Sequence, residues 1–402
     1  MNDEMSKTLA INGGPPVRDE LLPYGSQCIT EEDADVVREA VLDDWITQGP
    51  RIDRFEERAA NRFDADHAVA FSSGTTALHA AVAAAGVAEG SEAITSPITF
   101  AATANAILYN DGTPVFADID PGTLTLDPDQ VKQRITERTD ALLAVDFAGH
   151  PCAYDELQKI AGEHNLTLIA DACHAPGATY KGTPVGSLAD MSVLSFHPVK
   201  HITTGEGGMV LTDNNEYATY LERFRHHGIV QEDSDLEQKN EGPWYYEQQE
   251  LGHNFRITDI QCALGLRQLD RLDHFVEQRR DIAATYDRAL HDLNGILLPS
   301  EAEDITHAYH IYPVQFDLDR CSTDRKTIFN AFRAENIGVQ VHYIPVPLHP
   351  YYRDRFGYEE GDYPNAEHYY NRTITLPLFP AMTEQDVRDV LTATHKIHRY
   401  YF

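Results

Sequence analysis

Lys200 stands in Ser195-Phe196-His197-Pro198-Val199-Lys200-His201-Ile202-Thr203-Thr204-Gly205-Glu206-Gly207-Gly208, between an apolar run and a glycine-rich turn. The chain has only eight lysines, so one kept inside such a frame invites a chemical reading. Burial lowers an amine's pKa and a rigid frame fixes its reach, which is what a lysine that condenses with a carbonyl requires. Two other stretches carry chemistry of their own. In Ser72-Ser73-Gly74-Thr75-Thr76 an apolar run passes into a helical pattern. Backbone N–H groups at a helix start, with small hydroxyls beside them, form an anion cup. The same residues also suit a plain N-cap, and no Gly-Lys-Ser/Thr follows, so this is not a nucleotide P-loop. Asp171 ends the apolar run Leu166-Thr167-Leu168-Ile169-Ala170, where a carboxylate is costly to bury unless a cation meets it. Its plainer role is a structural cap. Together, an amine, a carboxylate and a phosphate cup on neighbouring strands suit pyridoxal phosphate: the amine for its aldehyde, the carboxylate for its ring nitrogen.

The elements that must position these groups alternate along the first two-thirds of the chain. Ala68–Phe71, Ala93–Thr95, Val115–Ala117, Ala141–Val145, Leu168–Ala170, Met191–Phe196 and Met209–Leu211 read as short strands. Thr75–Ala85, Pro128–Ile135 and Tyr154–His164 read as helices between them. Alternation of this kind predicts an α/β fold, a mostly parallel sheet between helices, with its site at the carboxyl ends of the strands. From about Gly265 the pattern changes. A long helix is expected from Ile257 through Arg280 and beyond, then a strand at His310–Phe316, a helix at Arg325–Glu335 and a strand at Val339–Tyr343. The expected division is therefore a large domain, 1–264, and a smaller C-terminal α+β domain, 265–402.

With 402 residues, 42% of them hydrophobic, the chain can bury a full core. It holds no apolar run long enough to span a membrane, and Met1–Arg18 is polar without a signal core, so a cytoplasmic protein is expected. The five cysteines form no CxxC pair and the 19 histidines no HExxH, so no disulfide framework and no metal are assigned. A net charge of −32, from 64 acidic and 32 basic residues, opposes nucleic acid and anionic membrane as partners. The acids are spread along the whole length, which points to a surface adapted to high salt rather than to one acidic binding face.

The order of motifs adds a resemblance. Ser-Gly-Thr at 73–75, Asp171-Ala172-Cys173-His174-Ala175, the Lys200 segment and Gly252-His253-Asn254-Phe255-Arg256 together resemble the DegT/DnrJ/EryC1/StrS family of sugar aminotransferases, from about Pro23 to Pro380. Leu22-Pro23-Tyr24, Trp45-Ile46-Thr47-Gln48-Gly49-Pro50, Ser96–Asn105 and Val341-His342-Tyr343-Ile344-Pro345 are similar to the branch that serves pseudaminic acid synthesis. The resemblance implies the fold-type I architecture of aspartate-aminotransferase-like enzymes, working as homodimers with shared active sites. It implies pyridoxal 5'-phosphate held as a Schiff base on Lys200, with Asp171 at the ring nitrogen. His174 falls near the ring oxygen, at a position that is often Gln in the family. Ser73, Gly74, Thr75 and Ser195 are implied at the phosphate, joined by Asn254 from the second subunit, and Phe100 on the ring face. Tyr24, Trp45, Ile46, Thr47, His342 and Tyr343 are implied at the nucleotide sugar. Phe100 and His342 also read as core residues, and Tyr24 and Trp45 as interface packing.

The implied reaction moves an amino group from L-glutamate to the C4 ketone of a UDP-linked 4-keto-6-deoxy-N-acetylhexosamine, for nucleotide-amino-sugar and surface glycan synthesis. Alternatives are a C3 ketone, a dTDP- or GDP-linked sugar, and a pyridoxal-dependent sugar dehydratase. Dehydratases of this fold place His where Lys200 stands. A cofactor-binding regulator would need a nucleic-acid module, which neither the charge nor any separate helix-turn-helix region supports.

Overall fold

Seven short runs of apolar and β-branched residues pair into one sheet: β1 (His67–Phe71), β2 (Glu92–Thr95), β3 (Thr113–Phe116), β4 (Thr139–Val145), β5 (Thr167–Asp171), β6 (Met191–Ser195) and β7 (Gly208–Thr212). Their order across the sheet is β1-β7-β6-β5-β4-β2-β3. All neighbours run parallel except β7, which is antiparallel to both β1 and β6. Strands covered on both faces need no polar alternation, and β2, β6 and β7 are buried along their whole length. The computed structural model describes residues 8–232, 234–238 and 242–402. Of the polar N-terminal stretch, residues 1–7 lie outside the described residues.

Helix Gly74–Ala84 leaves the end of β1 and lies across the sheet. Its alanines let it approach closely, and Ala77, Ala80 and Ala81 are fully buried. Ser73 and Thr76 close a capping box at its start. A second, antiparallel sheet forms from β8 (Ile296–Leu297), β9 (Tyr312–Phe316) and β10 (Thr373–Leu376). Helices Arg325–Ala334 and Glu384–Tyr401 contribute Ile328, Phe332, Val390 and Ile397 to the core around it. Helix Leu272–Leu290 joins the two regions. Leu272, Phe275 and Val276 pack in the core of the large sheet, whereas Ile282, Tyr286 and Leu290 pack in that of the small one.

The N-terminal segment is laced to the small sheet's region. Leu9 and Leu22 enter its core. The Leu22 N–H donates to Asn336 O (3.0 Å), and the Gly338 N–H to Leu22 O (2.7 Å). Gly338 fits because a Cβ there would stand 2.5 Å from Leu22 O. Buried Glu335 accepts from the N–H groups of Ala10 (2.8 Å) and Val17 (3.0 Å) and pairs with Lys396 (2.8 Å).

Two expected elements differ. The long helical pattern after Ile257 is two helices, Asp259–Leu269 and Leu272–Leu290. Neither Gly nor Pro marks the break. The chain turns at Asp270–Arg271, and Arg271 ion-pairs with buried Asp33 (2.9 Å). Val339–Tyr343 is not a strand. Only Gln340 bridges, to Thr375, because this stretch turns into a cavity, with His342 Nδ1 on Thr375 Oγ1 (2.9 Å) and the Tyr369 hydroxyl donating to His342 O (2.7 Å). Among the described residues, no helix is long and apolar enough to cross a membrane. All five cysteines are free.

Candidate active site

A cavity of about 410 Å³ opens beside the carboxyl ends of β5 and β6, with Lys200, Asp171, Gly74, Phe100, Tyr24 and His342 in its wall. The loop after β6 is fixed from inside. Thr203 Oγ1 donates to Phe196 O (2.9 Å) and accepts from the Gly205 N–H (2.9 Å), while the Phe196 N–H donates to Gly207 O (2.9 Å). Phe196 is fully buried, its ring 5.3 Å from that of Phe55. Lys200 therefore leaves a braced loop. Its stem keeps some surface toward the cavity, but protein surrounds the amine. Burial lowers its pKa; Cys173 and Asp171 oppose that shift and Arg279 adds to it.

Asp171, only 6% exposed, accepts from Thr103 Oγ1 (2.6 Å) and from the Cys173 N–H (3.3 Å). Thr99 continues the chain, its hydroxyl 2.7 Å from that of Thr103. At the cup, the side chains of Ser73 and Thr76 serve the helix cap, which leaves the first N–H groups of the helix, those of Gly74 and Thr75, with no intrahelical partner. A Cβ on Gly74 would stand 2.9 Å from Ser195 Cβ, so the helix start and β6 meet closely only because this residue is glycine.

His174 is sandwiched. Its Nε2 lies 3.2 Å from the Tyr343 hydroxyl, its ring centroid 4.2 Å from that of His310, and its Nδ1 is buried without a partner. Burial first, then the neighbouring charge of Lys200, keeps its pKa well below the usual imidazole value, so the ring is neutral. His342 is held down to about 3 for the same two reasons. Tyr24 packs its ring 5.4 Å from that of His342. Phe100, at the N-terminus of helix Ala101–Tyr109, is 61% exposed and lies 6.2 Å from the Tyr343 ring.

Eleven of the residues expected at the site line this one cavity: Lys200, Asp171 and His174; Ser73, Gly74, Thr75 and Ser195; and Tyr24, Phe100, His342 and Tyr343. Four do not. Trp45 (56% exposed), Ile46 (49%) and Thr47 lie in the turn between helices Glu31–Leu42 and Pro50–Phe63, and Asn254 lies exposed on the segment that bridges to His226. Thr99, Thr103 and His310 line the cavity without having been expected there. His197 and Glu206, left out of the expected set, also reach its wall.

A buried amine, a buried carboxylate and a glycine-shaped cup of free N–H groups, converging on one cavity, fit an aldehyde-bearing aromatic phosphate with a protonated ring nitrogen. That is the fold and site of a fold-type I pyridoxal-phosphate enzyme, and comparison with known proteins agrees. Residues 27–395 match the model of the DegT/DnrJ/EryC1/StrS aminotransferase family. The chain is 42% identical over 381 residues to an uncharacterized protein of Methanocaldococcus jannaschii, covering 95% of this chain and 98% of that one. It is 41% identical to the spore coat polysaccharide biosynthesis protein SpsC of Bacillus subtilis, covering 94% and 98%. Among solved structures, Helicobacter pylori PseC, an aminotransferase involved in pseudaminic acid biosynthesis, superposes with a TM-score of 0.88 at 32% identity, covering 95% of this chain and all of that one. Spr1654 of Streptococcus pneumoniae, at 28% identity and 94% and 99% coverage, has been solved in PLP- and PMP-forms, with TM-scores of 0.87 and 0.88. The chain belongs to the DegT/DnrJ/EryC1/StrS aminotransferase family. It is a pyridoxal-phosphate-dependent aminotransferase.

Proposed function

We propose that this aminotransferase moves the amino group of L-glutamate to the C4 ketone of a UDP-linked 4-keto-6-deoxy-N-acetylhexosamine, for the synthesis of nucleotide amino sugars and surface glycans. The observation that carries the chemistry is the convergence of Lys200, Asp171 and the Gly74–Thr75 cup on one cavity. The polysaccharide role of SpsC and the pathway of PseC support the sugar class.

When bound, pyridoxal phosphate supplies the electron sink that makes the proton beside an amino group removable. We assign the rest to the chain's own residues. Lys200 would hold the aldehyde, and its amine would move the donor's α-proton, base then acid. Burial, which favours its uncharged form, suits it to the first half of that task. Asp171, oriented by Thr103, would hold the ring nitrogen protonated. Ser73, Gly74, Thr75 and Ser195 would hold the phosphate, and Phe100 and neutral His174 would hold the ring. Tyr24, His342 and Tyr343 stand where the sugar enters. Glutamate leaves as oxoglutarate, its new keto oxygen taken from one water, and the sugar's ketone oxygen leaves as another, so the exchange consumes no net water. Exposed Trp45, Ile46, Thr47 and Asn254 suit a second copy's site better than their own, which supports a homodimer.

The test is incubation with L-glutamate and a panel of UDP-, dTDP- and GDP-linked 3- and 4-keto sugars, with products analysed by mass spectrometry and NMR. A new amine at C4 of a UDP-linked N-acetyl sugar is expected. Turnover confined to other nucleotides or to C3 ketones refutes the preferred substrate, and a monomer in solution refutes the shared site.

A further inference from the structure

Arg279 sits mid-way along helix Leu272–Leu290, 1% exposed, and no carboxylate among the described residues pairs with it. Its Nη1 instead donates to three main-chain carbonyls, those of His310 (2.9 Å), Leu378 (3.0 Å) and Tyr309 (3.3 Å), while its Nε has no partner. Burying a guanidinium without an anion is costly, and an apolar side chain of similar volume would pack there without that cost. A charge kept at such a position calls for a use.

One of the carbonyls it holds belongs to a residue of the cavity wall, and another to a residue bonded to that wall. His310 lines the cavity, and its ring presses on His174 at 4.2 Å. The Leu378 N–H donates to Tyr24 O (3.1 Å), so the same anchor fixes the backbone that presents Tyr24. We propose that Arg279 is a positioning residue of the active site: it pins the wall that seats His310 and Tyr24, and it keeps an uncompensated positive charge beside the cavity of Lys200.

The electrostatics agree with that placement. Arg279 lowers the pKa of Lys200, secondary to burial, and also depresses His201 and His310. The groups that act on Lys200 are few. Asp171 and Cys173, at and beyond the end of β5, raise its pKa. His174, His201, His310 and His342 are all held neutral around it. Burial brings the Arg279 pKa down to about 9, still above neutrality, so at neutral pH Arg279 is a cation that opposes a second positive charge on the lysine nitrogen.

The test is a pH titration of the visible absorption of the cofactor-loaded protein, with thermal unfolding measured in parallel. Arg279→Met removes a charge that disfavours protonation at Lys200, so the titration midpoint is expected to rise by ~0.5–1 pH unit. Arg279→Lys keeps a cation there and should stay close to the wild-type midpoint. If Arg279→Met yields no soluble protein, Arg279→Gln takes its place with the same expected rise. A neutral variant that lowers the unfolding temperature but leaves the midpoint unmoved would reduce Arg279 to a fold-stabilising residue and overturn the proposal.

Discussion

The hydroxyl of Thr103 is the smallest group on which the site depends, and Thr103→Val removes it at nearly constant shape. In the wild type it donates to Asp171 Oδ2 at 2.6 Å, a length in the range of charge-assisted O–H···O bonds. Such bonds to charged groups contribute about 1.5–3 kcal/mol. Water cannot easily replace the lost donor, because Asp171 is 6% exposed. The other donor, the Cys173 N–H, is a long contact at 3.3 Å. The valine variant of the cofactor-free protein should therefore lose about 1.5–3 kcal/mol of stability, read as a lower urea midpoint at unchanged slope, with fluorescence and circular dichroism transitions coinciding. In an Asp171→Asn background the acceptor is neutral, and the same change should cost only about 0.5–1.5 kcal/mol. Thr99→Val is the control. It removes the outer hydroxyl of the relay, leaves Asp171 paired, and should cost about 1 kcal/mol or less. Additive costs in the double mutant, or a loss under about 0.5 kcal/mol for Thr103→Val alone, would show that this hydroxyl does not support the carboxylate.

Three further outcomes are expected. Lys200→Ala should abolish both turnover and the visible absorption band of the bound cofactor; a variant that keeps both refutes its assignment. Stability should fall on mild acidification. His174, His201 and His310 are held well below the usual imidazole pKa and His342 at about 3, so the unfolded chain takes up protons below pH ~6.5 that the folded chain refuses. Buried Asp146, raised to about 7, acts in the opposite sense over the same window. From pH 6.5 to 5.5 the unfolded imidazoles go from half to mostly protonated, so each of the four contributes a loss of about 1 kcal/mol and the carboxyl returns about as much; the net loss from these groups is about 3 kcal/mol, and a flat urea midpoint across that interval would contradict it. Finally, with a net charge of −32, fold and activity should persist in molar KCl and weaken in dilute buffer; full stability at low salt refutes salt adaptation.

Much of the large sheet was legible because its strands are buried on both faces and read as unbroken apolar runs. Each expected strand there matches an observed one within two residues at either end, and Tyr154–His164 matches its helix. The Lys200 loop and the Ser73–Thr75 cup were legible for a related reason, since their glycines and hydroxyls act locally. What stayed hidden depends on tertiary contact. Thr103 is one small residue in an Ala-rich helix, and only the fold sets it against Asp171. Arg279 occupies an amphipathic helix like any surface arginine until its partners prove to be carbonyls. The break at Asp270–Arg271 carries no helix-breaking residue, and Val339–Tyr343 has the composition of a strand but ends with His342 and Tyr343 on the cavity.

The lacing of the N-terminal segment has a consequence for how the protein comes into being. Val17 and its acceptor Glu335 are 318 positions apart, and Tyr24 depends on the backbone at Leu378. At typical ribosomal rates of 5–20 residues per second, the first segment made waits roughly 15–60 s for the residues that hold it. Leu9, Leu22 and Tyr24 are without their partners throughout that interval, in a stretch whose charged and turn-forming residues suit it to remain in water. The wall containing Tyr24 closes only when the chain is nearly finished, so the side of the cavity assigned to the sugar is the last part of the site to form.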